Sequence, residues 1–274
     1  MSVREALRVQ PGTVNLAGYD SAGTPLAPGK KAKTEKETVL GGPELASWQE
    51  RLWAEGTRSV LLVLQGIDTA GKGGVVNHVV GMLGPAAVKV TAFKKPTPEE
   101  AAHHFLWRIR RALPGPGVVG VFDRSHYEDV LVVRVHEMVP EAEWRHRYDE
   151  INAFEDELTP RGTTLIKCFL HISYAEQRER LLARLDDPTK HWKFDEADID
   201  ERAYWADYQA AYTGMLQNCS TERAPWYIVP SDHKWYRNWA VGEILHETFT
   251  DLDPRYPQTD LDVSRLRKRL QPPY

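Results

Sequence analysis

The stretch VLLVLQGIDTAGKGG, from Val60 to Gly74, constrains the fold more tightly than any other part of the chain. An apolar strand runs straight into a glycine-rich turn. Within it, Gly66-Ile67-Asp68-Thr69-Ala70-Gly71-Lys72 has the spacing GxxxxGK, in which backbone N–H groups point at phosphate oxygens and the lysine meets the outer phosphates. Gly66, Thr69, Ala70, Gly71, Gly73 and Gly74 are the candidate phosphate-binding positions, with Lys72 as their charged partner. A helix is expected at once, because Val75, Val76, Val79, Val80 and Leu83 recur at helical spacing and its N-terminus would face the anion. Gly73 stands where such loops ordinarily carry the Ser or Thr that binds magnesium, so Asp68, inside the loop, is the nearest hard oxygen donor.

The flanking sequence alternates strand and helix. Residues 1–42 mix Gly, Pro, Lys and Thr with little periodicity and read as an irregular arm; residues 43–274 read as a single domain. Leu45, Trp48 and Leu52 mark an amphipathic helix from Pro43 to Glu55, closed by Gly56. A second strand, Val88 to Phe93, ends on Lys94-Lys95-Pro96, and Thr97-Pro98-Glu99-Glu100 starts a helix expected to reach about Leu113. The third strand, Val118 to Phe122, stops at Asp123. Apolar strands separated by helices imply a parallel sheet covered on both faces, and an acid at a strand's carboxyl end lies on its ligand-binding edge. Asp123 is thus the expected second magnesium carboxylate, beside Arg124.

Further on, Trp144, Tyr148, Ile151, Phe154 and Leu158 mark a helix, Thr164 to Ile172 a fourth strand, and Ser173-Tyr174-Ala175-Glu176 another helix start. The helix it opens carries Arg178 and Arg184 on its polar face and breaks at Asp186-Asp187-Pro188. With the helix that follows, ending near Gln217, it reads as a movable lid over about 174–217, because phosphoryl transfer needs a basic cover that excludes water and then opens. A fifth strand, Pro225 to Val229, a long helix from Lys234 and a short basic tail helix complete the chain.

Charge distribution is more informative than its sum. A net charge of −4 argues against bulk capture of nucleic acid, yet cations bunch at Lys94 and Lys95, at Arg108, Arg110 and Arg111, at Arg178, Arg180 and Arg184, and at Lys190 and Lys193. With 27% charged residues and no apolar run near 18 residues, a membrane span is not expected. MSVREALRVQPG lacks an apolar signal core, so a cytoplasmic location is expected. The two cysteines, Cys168 and Cys219, form no metal or disulfide spacing.

GIDTAGKGG (Gly66 to Gly74) together with Asp123-Arg124-Ser125-His126-Tyr127-Glu128-Asp129 resembles the polyphosphate kinase 2 family. The likeness extends over Phe93 to Pro96, Phe105 to Arg108, Arg134 to His136, Phe169 to Ser173, Trp192 to Phe194, Ala224 to Tyr227 and His233 to Tyr236. The resemblance implies a thymidylate-kinase-like, phosphate-loop nucleoside-triphosphate-hydrolase-like α/β/α sandwich with a central five-stranded parallel sheet and a helical lid. It implies Mg²⁺-dependent, reversible transfer of phosphate from inorganic polyphosphate to nucleotides, with Mn²⁺ as an alternative metal. It implies a homodimer or homotetramer, with AMP, ADP and ATP as the nucleotides handled and neither nucleic acid nor membrane as a partner.

Carried over by position, Asp68 and Asp123 match the family's metal-binding acids, Lys72 its loop lysine and Arg124 its essential arginine. Lys94, Arg108 and Arg134 match cations for polyphosphate or nucleotide phosphates, and Arg178 and Arg184 match lid arginines. Lys95 and Lys193 extend this basic set, as counterion release along a linear polyanion requires a string of cations. His126, Glu128 and Asp129 resemble the subclass that phosphorylates both mono- and diphosphates, with Glu128 placed among the catalytic residues and Asp129 among the binding ones. The alternatives are an ADP-only polyphosphate kinase, a nucleotide kinase using ATP, and a non-catalytic polyphosphate- or nucleotide-binding regulator. The ATP kinase would not need the basic string, and a regulator could dispense with one metal acid.

Overall fold

Every residue of the strand Ser59–Gln65 is buried, which places this segment at the centre of the sheet. The computed structural model describes residues 1–10 and 12–271. Its principal elements are α1 Val3–Leu7, α2 Lys31–Glu55, β1 Ser59–Gln65, α3 Lys72–His78, β2 Val88–Ala92, α4 Pro98–Ala101, α5 Leu106–Ala112, β3 Val119–Asp123, α6 Val132–Val135, α7 Glu141–Leu158, β4 Thr163–His171, α8 Tyr174–Leu185, α9 Ala197–Asp200, α10 Trp205–Cys219, β5 Trp226–Pro230, α11 Lys234–Leu252 and α12 Val263–Arg269. The strands form one parallel sheet in the order β2-β3-β1-β4-β5. Leu64 of β1 is in register with Asp123 of β3, so the phosphate loop and Asp123 leave the sheet side by side. One group of helices joins α2 and α3 to α11 and another joins α6, α7 and α10. Sequential strands that are parallel need such crossovers, and the two groups supply the covering layers.

The expected five-stranded α/β fold is therefore present, with three local differences. First, residues 31–42 are not irregular: α2 is a 25-residue helix that runs through Pro43 to a left-handed Gly56. Proline inside a helix removes a hydrogen bond, which made Pro43 look like a start. Burial outweighs that loss here, since Thr34, Gly42, Leu45, Gln49 and Leu52 form the inner face and Gly42 lets Met82 approach to where a Cβ would stand 3.0 Å from Sδ. Second, the helix expected from Thr97 to Leu113 is two helices. Thr97 does make the capping box, but α4 ends at Ala101 and α5 begins at Leu106. Third, α10 belongs to the core rather than the lid, because Ala211, Tyr212, Met215, Leu216 and Cys219 are buried on it. The exposed cover is narrower: no residue from Asp186 to Tyr204 is fully buried. Among the described residues no helix is long and apolar enough to cross a membrane.

Candidate active site

Four segments meet where β1 and β3 end. The loop after β1 contains Thr69 with φ 69° and Gly71 with φ 106°, and Arg124, just past β3, has φ 63°. Left-handed conformations cost a residue with a side chain free energy, and they persist where function requires them. The Arg124 backbone is held there by its N–H to Leu64 O at 3.1 Å. Lys72 opens α3 and turns back, its Nζ donating to the carbonyl oxygens of Gly66 at 2.7 Å and Ile67 at 3.5 Å. Thr69 Oγ1 is buried at the loop and has no hydrogen-bond partner among the described residues.

The charges interlock. Arg124 pairs with Asp68, and Arg184 of α8 donates to Lys193 O at 3.0 Å and to Asp198 Oδ2 at 3.0 Å. Burial works to raise the Asp68 carboxyl, but Lys72, Arg124 and Arg184 outweigh it and hold the group below its ordinary value. Burial and the Arg124 charge lower the Lys72 amine, against the pull of Asp68, Asp123 and Glu128. Glu128 is raised by burial, an effect that Arg124 and Lys72 oppose and Asp68 reinforces. The structure therefore brings Asp68, Lys72, Asp123, Arg124, Glu128 and Arg184 into one electrostatic unit.

Among the described residues no three His, Cys, Asp or Glu side chains form a metal-binding group. Asp68 and Asp123 still suit Mg²⁺, a hard ion that keeps several waters and is bound through one or two carboxylates plus substrate phosphates.

Other expected site residues are engaged elsewhere. Asp129 Oδ1 accepts from Arg147 of α7 at 3.0 Å, and the backbone oxygen of Asp129 accepts from the same guanidinium at 3.3 Å. Arg134 stacks over Trp144 at 4.4 Å and donates to the Tyr148 hydroxyl at 3.3 Å. Arg108 donates to Lys94 O at 2.8 Å, Arg178 pairs with Glu179 on the exposed side of α8, and Lys193 lies over Trp192. Lys94 and Lys95 are exposed just beyond β2, whose last residue, Ala92, is in register with Asp123. They lie on the same sheet edge as Asp123.

His126 is fully buried and faces inward, its Nε2 3.1 Å from Glu155 Oε1. The Tyr127 hydroxyl donates to the same oxygen at 2.7 Å. Lys167 Nζ completes the cluster, reaching Glu155 Oε2 at 2.5 Å, the Tyr127 hydroxyl at 2.9 Å and Cys219 O at 2.7 Å. This buried knot fixes the turn His126–Val130, which presents Glu128. Arg180, noticed only as part of a basic bunch, and Arg237, not singled out at all, both touch the back of the loop. Their one sequence signal is position: Arg180 lies a helical turn after Glu176, and Arg237 follows the His233 to Tyr236 motif.

Comparison with known proteins bears on the family and the fold. A family model described as Polyphosphate kinase 2 (PPK2) matches residues 29–257. An AMP/ADP-polyphosphate phosphotransferase of Meiothermus ruber is 46% identical over 261 residues, covering 94% of this chain and 97% of the relative. An ADP-polyphosphate phosphotransferase of Rhodopseudomonas palustris is 44% identical over 227 residues, covering 78% of each. The crystal structure of Polyphosphate Kinase 2 from Arthrobacter aurescens TC1 superposes with a TM-score of 0.95 at 49% identity, over 98% of this chain and 96% of that one. The matched span contains the loop with Asp68 and Lys72, the strand-end Asp123, and Arg184, and the chain belongs to the polyphosphate kinase 2 family.

Proposed function

We propose that this enzyme moves the terminal phosphate of inorganic polyphosphate to AMP and to ADP, forming ADP and ATP, and runs in both directions. The observation that carries the reading is the convergence of Lys72, Arg124 and Arg184 with Asp68, Asp123 and Glu128 at the loop. An acceptor phosphate oxygen forms a bond to the terminal phosphorus while the bond to the bridging oxygen breaks, and the electron pair leaves on that oxygen with the shortened chain. Such a reaction needs placement and positive charge more than covalent help.

In this reading Lys72 swings from the carbonyls of Gly66 and Ile67 onto a phosphate, and Arg124 and Arg184 meet the transferred group. Asp68 and Asp123 would hold Mg²⁺, or Mn²⁺ in its place; when bound, the ion offsets charge on the bridging phosphates. Lys94 and Lys95 receive the distal part of the polyphosphate, supported by their exposure on the same sheet edge. A homodimer or homotetramer and a cytoplasmic location belong to the same proposal. Adjacent Val39 and Leu40 on α2 are 70% and 60% exposed, which suits a further interface, and Cys168 and Cys219 are buried free thiols. Sedimentation that finds only monomers would remove the oligomer.

The test of function is a chromatographic time course with long-chain polyphosphate and AMP, and in parallel ADP, in Mg²⁺, in Mn²⁺ and in excess chelator. ADP followed by ATP from AMP, abolished by chelator, is the expected outcome. Product from ADP alone would favour the reading named by the R. palustris relative. Turnover only with ATP as donor would exclude polyphosphate.

A further inference from the structure

Behind the phosphate loop, two arginines converge on a single peptide. Arg180 of α8 donates through Nη1 to the carbonyls of Thr69 at 2.8 Å and Ala70 at 3.0 Å, and through Nη2 to those of Ser231 at 2.5 Å and Asp232 at 3.1 Å. Its Nε donates to Glu176 at 2.7 Å. Arg237 of α11 reaches the same Ala70 carbonyl with Nη1 at 3.4 Å, while Nε and Nη2 donate to Asn238 Oδ1 at 3.1 and 2.8 Å. The two residues are only 7% and 3% exposed.

They differ in compensation. Arg180 has the Glu176 carboxylate; among the described residues Arg237 has a neutral amide, a carbonyl and a second cation. Burial and the Arg180 charge bring the Arg237 guanidinium down to about 10. A buried cation without a counter-ion is costly, and the sequence makes room for this one deliberately. A Cβ on Gly71 would lie 1.8 Å from Arg237 Nη1, and one on Gly74 would lie 2.5 Å from Nη2. Gly73, between them, has nothing within 4 Å of its Cβ position. The outer two glycines of this run are shaped to the guanidinium.

Peptide geometry links the cation to the ligand. In a planar trans peptide the C=O and the following N–H point in opposite directions. Drawing the Ala70 carbonyl back onto Arg180 and Arg237 therefore aims the Gly71 N–H at the opposite side, where the loop would receive a phosphate.

We propose that Arg237 is a positioning residue for phosphoryl transfer, a buried cation whose balancing charge is the phosphate seated in the loop. With Arg180 it aims the Gly71 N–H, and it keeps the empty loop electrostatically unsatisfied until a polyanion arrives. The inference rests on the loop being the phosphate cradle, which the wild-type protein tests separately in the same experiment.

The experiment compares wild type, Arg237→Gln, Arg237→Lys and Gly74→Ala. Thermal unfolding is followed with and without inorganic tripolyphosphate in magnesium-free buffer, and KM and kcat are measured with long-chain polyphosphate. Arg237→Gln is expected to unfold no lower than wild type without ligand, to lose most of the tripolyphosphate-induced rise, and to raise KM about tenfold with a smaller change in kcat. Arg237→Lys should recover much of the rise, and Gly74→Ala, which displaces the guanidinium while keeping its charge, should raise KM. A destabilised or unfolded Arg237→Gln protein, or one whose tripolyphosphate rise and KM match wild type, overturns the proposal by making the arginine structural. Equal impairment of the Gln and Lys variants overturns the role of charge. A wild type with no rise removes both the cradle and this role.

Discussion

The Arg124 guanidinium lies on the Asp68 carboxylate, tying the end of β3 to the phosphate loop that follows β1. Both side chains are about one-third exposed, so this ion pair faces the site and contributes about 0–1 kcal/mol to folding. Asp68→Asn should therefore leave the unfolding free energy within about 1 kcal/mol of wild type and lower kcat by roughly 100-fold or more. Denaturant unfolding and polyphosphate-dependent nucleotide formation, measured on the same preparation, check the two halves of that statement. Activity within a factor of three of wild type would remove Asp68 from the metal site.

Glu128 is expected to separate the two acceptors. Burial raises both carboxyls, but Glu128 lies in the field of Arg124, Lys72 and Asp68, whereas Asp129 faces Arg147 of α7 at 3.0 Å. Glu128→Gln should lower kcat/KM for AMP about tenfold and that for ADP by a factor of about two, whereas Asp129→Asn should alter both equally and mainly through stability. Initial rates with each acceptor decide this, and an unchanged AMP-to-ADP ratio in Glu128→Gln would count against the assignment.

Lys167 and Glu155 form a fully buried pair beneath the turn that presents Glu128. Removing one partner strands the other charge, so Lys167→Met should cost about 3–5 kcal/mol, and adding Glu155→Gln should return part of that loss. Urea midpoints for the two single variants and the double variant give the coupling. Purely additive losses would show that the charges do not act as a pair.

Acid stability has a specific contributor far from the site. Glu55 at the end of α2 is lowered to about 2, chiefly by its hydrogen bond to Arg58, with Thr57 and the Arg255 backbone adding to it against burial. A carboxyl lowered on folding stabilises the protein above its unfolded value and loses that contribution as pH falls, because the unfolded chain takes up the proton first. The loss should run from about 4.5 down to about 2. Glu55→Gln should destabilise by about 1–2 kcal/mol at neutral pH, allowing for solvent screening, and by almost nothing once pH is near the lower limit. Urea midpoints at several pH values check it, and a penalty independent of pH would refute the charge explanation.

Local pattern makes the central strand, the glycine-rich loop and the strand-end acid legible because each is encoded over a few neighbouring positions. Val60 to Leu64 is uniformly apolar, Gly66 follows closely, and Asp123 closes the apolar run from Val118. The continuation of α2 through Lys31 to Gly42 was hidden, since its burial comes from Met82 and α11 rather than from an apolar stripe. The division at Ala102 to Phe105 left no Pro or Gly to mark it. Arg180 and Arg237 were illegible for a related reason: they serve backbone carbonyls 111 and 167 positions away, and a carbonyl has no letter in the sequence. Asp129 shows the converse, where a motif acid beside Glu128 is paired with Arg147 from another helix, a contact that local spacing does not reveal.

The amino-terminal segment sets the order in which the molecule can finish assembling. Val3 N–H donates to Glu247 across 244 positions, Val9 N–H donates to Trp226 O, and Arg8 bridges antiparallel to Tyr227 on the outer side of β5. Contacts so distant along the chain form late, because they wait for the intervening structure. During synthesis, residues 3–9 are made before β5 and α11 and have nothing to dock on until both have emerged, so the outer edge of β5 is sealed only then. A nascent chain arrested before Glu247 would carry Val3 and Leu7 uncovered, holding a segment made before β5 and α11 within the reach of chaperones until those elements emerge.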